Sequence, residues 1–202
     1  MLYYESSIVN WCETNYEYTV YIAEFWNTIT SLFISIAGIY QLKFDKPIGI
    51  SIILCGIFSA YFHMTLSLLG QLLDELSISV ILIITILKIR SLLKHTIMSY
   101  DLFLFAIIQL SVQFVFPSIN RFILFLYGFV FISNYKLLLH YLKKKFYYNV
   151  SLYMFGISVI VWILDFPCFN IPVNFHSIWH ISIAITTWTI GMTLQQYKLD
   201  IN

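Results

Sequence analysis

His176-Ser177-Ile178-Trp179-His180 opens the apolar run HSIWHISIAITTWTIGMTLQ, residues 176–195. Its two histidines lie one turn apart on one helical face. The run contains no Lys, Arg, Asp or Glu, and its length suits a hydrocarbon core about 30 Å thick. Ionisable groups are expensive in such a segment and mark function by default.

Six further apolar segments precede it: Glu24–Leu42, Ile48–Leu68, Leu73–Leu93, Leu102–Phe116, Arg121–Leu139 and Val150–Leu164. The 202 residues are 60% hydrophobic and 10% charged, which excludes an ordinary soluble globular domain. Short loops join the segments, some holding Pro47, Pro117, Pro167 or Pro172. The expected fold is an all-α membrane protein, a seven-transmembrane helical bundle forming one domain over residues 1–202. No internal repeat or low-complexity stretch is visible.

Charge orients the bundle. With seven alternating spans, one side carries Lys43, Lys46, Lys88, Arg90, Lys94, Lys136, Lys143, Lys144, Lys145 and Lys198. The other carries Glu5, Glu13, Glu17, Glu24, Asp74, Glu75 and Asp165, with Arg121 its single basic residue. The positive-inside rule then predicts a lumenal or outside N terminus and a cytosolic C terminus. No cleavable signal peptide is expected, and the first span is expected to act as its own signal. Cys12 and Cys168 both fall on the lumenal side, where disulfides persist. A Cys12–Cys168 bridge would pin the tail to the mouth of the bundle; two unpaired thiols are the alternative. Cys55 reads as a small apolar filler.

The same alternation brings other residues to the histidine pair. His63 lies near the lumenal end of the second span, and Asp74 opens the third. Three imidazoles and a carboxylate from three helices thus share one depth. His95 and His140 fall among lysines at the opposite side and read as interfacial. A catalytic zinc takes three protein ligands in a tetrahedron and leaves a position open. His176 and His180 would supply two ligands and His63 the third, with Asp74 free to act as general base and acid. Zinc brings the pKa of water down to about 7. Haem is a poorer match, because ligands one turn apart cannot reach both of its faces. Ser59, four residues before His63, either donates to a developing oxyanion or bonds back to its own helix.

Glu13, Asn15 and Glu24, with backbone carbonyls, offer hard oxygen donors of the kind calcium takes. By pattern alone this signal is weak, and the orientation rule is the better account of the acidic tail.

Trp11-Cys12-Glu13-Thr14-Asn15-Tyr16, Ala23-Glu24-Phe25-Trp26-Asn27-Thr28, Ser59-Ala60-Tyr61-Phe62-His63-Met64-Thr65-Leu66, Gln71-Leu72-Leu73-Asp74-Glu75-Leu76 and the opening His176–His180 stretch occur in that order. Together they resemble the alkaline ceramidase family of membrane hydrolases, across essentially the whole chain. The resemblance implies hydrolysis of a ceramide amide to a sphingoid base and a fatty acid, in the endoplasmic reticulum or Golgi membrane. It implies zinc on His63, His176 and His180, with Asp74 activating water and Ser59 stabilising the transition state. It also implies calcium on Asn10, the Trp11 carbonyl, Glu13, Asn15 and Glu24. The family usually has Asp where this chain has Asn10, which removes a negative charge and weakens calcium binding. Ceramide and the membrane are the expected partners; neither nucleic acid nor an obligate protein partner is expected. Two rivals are a zinc receptor of the adiponectin-receptor kind and a proton or metal transporter. The former is expected with a cytosolic N terminus, against the charge distribution. The latter needs ionisable residues through the middle of the bundle, where there are almost none.

Overall fold

The computed structural model describes residues 4–94, 100–169 and 173–201, with the backbone alone at positions 105, 114, 117 and 121. His95, Pro172 and the Arg121 side chain lie outside the described residues. Seven α-helices follow in order: α1 Phe25–Gln41, α2 Lys46–Thr65, α3 Leu68–Leu92, α4 Tyr100–Val115, α5 Asn120–Leu137, α6 Phe146–Asp165 and α7 Phe175–Ile201. No sheet forms among the described residues, and Ser6 with Ser67 makes an isolated bridge.

Among the described residues, three helical stretches are long and apolar enough to cross a membrane: Lys46–Thr65, Phe122–His140 and Phe146–Asp165. α4 is apolar but shorter, whereas α1 and α7 carry polar side chains turned inward. α1 buries Asn27, Thr28, Thr30 and Ser31, and α7 buries His176, Ser177, His180, Ser182 and Thr186. Those polar faces meet each other, because α1 packs on α7 as well as on α2. α2 in turn packs on α3, α3 on α5, and α6 on α7, while α5 and α6 meet through side chains, with the Tyr135 hydroxyl 2.7 Å from Ser151 Oγ and the Tyr135 ring stacked on Tyr148.

Local chemistry sets the helix ends. Asp45 caps α2 by accepting from the Ile48 N–H, with Pro47 in the first turn, where a missing N–H costs nothing. Ser67 caps α3 through the Gly70 N–H at 3.1 Å, and Asn174 caps α7 through the Ser177 N–H at 3.0 Å. Glycines let α1 and α2 come together: a Cβ on Gly38 would stand 2.6 Å from the Ile53 nitrogen. Close approach through small residues is how helices associate where lipid removes the hydrophobic drive.

The sequence segments differ from these helices in one way that matters. The expected second span ran to Leu68, and the third began at Leu73. In the structure α2 stops at Thr65, because Leu66 adopts the left-handed conformation with φ 46°. The residues around this bend pair with the tail: Ser7 N–H donates to Leu66 O at 2.8 Å, and Leu68 N–H to Glu5 O at 2.8 Å. Asp74 therefore sits in the second turn of α3 rather than at its start. α6 and α7 extend past the expected Val150–Leu164 and His176–Gln195 bounds.

Candidate metal centre

His63 lies in the last turn of α2, while His176 and His180 occupy the first two turns of α7. One ring nitrogen from each lies within 4.8 Å of the others, and all three side chains are buried. Ring centroids are 4.7–4.9 Å apart. Helical spacing brings two histidines together along α7; only the α2–α7 arrangement adds the third.

The hydrogen bonds around the rings test whether a metal fits. His63 Nδ1 is 2.6 Å from Glu24 Oε2, with both residues 0% exposed. His63 Nε2 is buried without a hydrogen-bond partner. A ring fixed at one nitrogen by a carboxylate, with the other bare and directed among two further imidazoles, is the arrangement of a metal ligand. His180 Nδ1 is held likewise by Thr30 Oγ1 at 2.9 Å. The donor set is thus three imidazole nitrogens that can hold a metal.

Ser59 and Asp74 join this group. Ser59 Oγ lies 3.4 Å from His180 Nε2 and accepts from Ser31 Oγ at 3.1 Å. The Asp74 carboxylate faces the Ser59 hydroxyl and His63, and its Oδ1 is buried without a partner. Beyond them opens a cavity of about 520 Å³. Asp74, His176 and Trp11 line it at this end, Gln41, Ile48 and Gly191 at the other. Its middle is walled by apolar side chains such as Ile52, Leu82 and Phe131, and Phe125, Phe129, Phe155 and Trp162 of α5 and α6 complete the lining.

The tail wraps over the histidine cluster. Glu24 Oε1 accepts from the Trp11 N–H at 3.1 Å. Glu13 caps α1 from a distance, accepting the Trp26 and Asn27 N–H groups at 2.6 and 2.8 Å. Asn27 Nδ2 donates to Glu24 Oε2 at 3.0 Å, so Glu13 and Glu24 meet around one residue. Asn15 Nδ2 donates to Asn10 Oδ1 at 3.3 Å. Asn10 thus meets Asn15, and Glu13 meets Glu24 around Asn27, with Asn10 Oδ1 and the Glu13 and Glu24 carboxylates all accepting hydrogen bonds. Cys12 and Cys168 are joined by a disulfide with Cα atoms 5.1 Å apart. The Trp11 indole stacks on the His176 ring at 3.9 Å.

Sequence reasoning had counted Asp165 only as a charge and had passed over Thr30 and Ser31. A Thr and a Ser on an apolar helix carry no signal by themselves. Their importance comes from α1 facing α7. Glu24 was singled out as a donor of the tail, and its contact with His63 was not visible.

Fold and site define a membrane-type helical bundle that encloses a three-histidine group able to hold a metal, at the mouth of an apolar cavity. The sequence profile of the Ceramidase family matches residues 3–201, and the chain belongs to that family. Alkaline ceramidase of Drosophila melanogaster is 30% identical over 96% of this chain and 78% of its own length. Alkaline ceramidase 1 of Mus musculus is 45% identical over 37% of this chain and 32% of its own length. The Homo sapiens protein of the same name is 41% identical over 37% and 33%. This chain thus aligns with about a third of the length of the two mammalian relatives.

Proposed function

We propose that this protein hydrolyses the amide bond of ceramides, releasing a sphingoid base and a free fatty acid, with zinc held by His63, His176 and His180. One observation carries the reading: a buried three-histidine cluster with Asp74 and Ser59 beside it opens onto a cavity whose walls are almost wholly apolar. A lipid amide fits this combination, having a polar bond to cleave and hydrocarbon to bury. The names of the relatives support the same substrate class.

Zinc on the three imidazoles would supply Lewis acidity and a lowered pKa for water. Asp74 takes the proton of the attacking water and returns it to the departing amine nitrogen. Its unpartnered Oδ1 is free for that exchange. Ser59 donates its hydroxyl to the carbonyl oxygen as negative charge develops there, where the apolar surround makes such a bond strong. The cavity holds the hydrocarbon chains and excludes water from the reacting amide.

All seven helices cross the bilayer in this reading, as one domain over residues 1–202, with the acidic tail lumenal and the basic ends cytosolic in an endoplasmic reticulum or Golgi membrane. The Cys12–Cys168 disulfide suits a lumenal mouth. Asn10, the Trp11 carbonyl, Glu13, Asn15 and Glu24 form a calcium site weakened by the missing charge at Asn10. A panel of ceramides offered to the purified chain in detergent, with release of sphingoid base as the readout, tests the activity. Turnover that survives Asp74→Ala rules the mechanism out.

A further inference from the structure

Asp165 closes α6 and is 2% exposed, yet none of the proposed steps uses it. Its Oδ2 stands 3.7 Å from His176 Nδ1. Neither carboxylate oxygen reaches hydrogen-bond geometry, and His176 Nδ1 is equally without a partner. The backbone N–H groups of Cys12 and His176 face the same carboxylate. A buried carboxylate and a buried imidazole nitrogen, each unsatisfied and each facing the other, cost stability unless they serve a state in which they pair.

The other two rings show what that state is. A histidine that binds a metal through one nitrogen has the other fixed by an acceptor. Glu24 does this for His63 and Thr30 for His180. Asp165 is the acceptor standing nearest to His176 Nδ1. Its position is locked from two sides. Cys168, three residues on, turns the chain back at φ 45° and is bonded to Cys12. Trp11, next to Cys12, covers the face of the same imidazole.

We infer that Asp165 is the positioning residue of His176, accepting the Nδ1 proton so that Nε2 is presented to the metal, with the Cys12–Cys168 disulfide holding the carboxylate in register. The inference rests on the metal reading of the histidine cluster.

Asp165→Asn tests it, because the amide keeps shape and an acceptor oxygen while removing the charge. The full chain in detergent is stripped of metal, and zinc affinity is read by chelator competition. The expected result is a 10- to 100-fold weaker affinity, the usual cost of losing such a partner. The visible absorption of the cobalt-loaded protein shifts as His176 turns. A merely structural carboxylate gives the opposite pattern. Removing a buried, unsatisfied charge leaves the metal-free chain at least as stable as before, whereas a structural role lowers the metal-free melting midpoint. Cys12→Ser weakens zinc in the same direction, and adding Asp165→Asn to it brings less than the sum of the two losses, because both act through one ring. Unchanged zinc affinity and cobalt absorption in Asp165→Asn overturn the proposal while leaving the metal reading intact. A parent chain that takes up no zinc overturns both.

Discussion

Glu24 Oε2 and His63 Nδ1 lie 2.6 Å apart with no solvent access to either. The other oxygen of Glu24 holds the Trp11 backbone, so one carboxylate links the tail to the histidine cluster. A charge buried this deeply is tolerated when it is paired and hydrogen-bonded. Replacing it therefore reaches both the tail and the histidine cluster. Glu24→Gln is expected to weaken zinc binding by roughly 10- to 100-fold. Glu24→Ala, which leaves Nδ1 buried and alone, is expected to cost a further 1–3 kcal/mol or so of stability. Chelator competition and thermal melts in detergent read the two effects separately.

His176→Ala and His180→Ala each remove one of three expected ligands. The parent chain should carry about one zinc, and either variant should retain little. Metal analysis after dialysis measures this directly. Chelation should lower the melting midpoint of the parent more than that of His176→Ala, since a metal stabilises a fold only as far as it binds.

Asp74→Ala should abolish release of sphingoid base while leaving zinc in place, because Asp74 acts on protons rather than on the metal. Ser59→Ala should slow turnover by roughly 10²- to 10³-fold, the scale of losing one donor to a developing oxyanion. Equal turnover by Ser59→Ala would reduce Ser59 to a hydrogen-bond partner of Ser31.

Asn10→Asp restores a charge in the acidic tail. Calcium should then stimulate turnover at lower concentration, and calcium affinity should rise, because ligand charge tunes such sites. A calcium titration of both proteins, identical in the two, would remove Asn10 from the site.

Gly191 faces Gln41 across the far end of the cavity. A Cβ there would overlap the Gln41 side-chain oxygen. Gly191→Ala gains about 1 kcal/mol of helix propensity, but overpacking of this kind costs typically 1–3 kcal/mol. The overlapped atoms all belong to the end of the Gln41 side chain, which lines the cavity, so this cost is set by whether Gln41 turns aside. With Gln41→Ala in place the clash is gone, and Gly191→Ala should raise the melting midpoint above that of Gln41→Ala alone.

Much of the bundle was legible along the chain. The number of helices followed from apolar runs, and the meeting of His63, His176 and His180 was expected from the alternation of charged ends. Hydropathy could not see the bend at Leu66. Leucine is apolar on either side of a helix end, and its left-handed φ is held by hydrogen bonds to the distant tail. Nor did it reveal the polar faces of α1 and α7, where Thr30 and Ser31 look like ordinary helix residues until the two helices meet.

Sequence by itself determined the helical, apolar character of this protein and the identity of its three imidazoles. Those depend on composition and on periods of a few residues, which are local. Tertiary structure decided which atoms those imidazoles face. Glu24, Thr30 and Asp165 come to His63, His180 and His176 from 39, 150 and 11 residues away. No local rule fixes such distances, because they are set by helix packing and by the disulfide that ties the tail to the loop before α7.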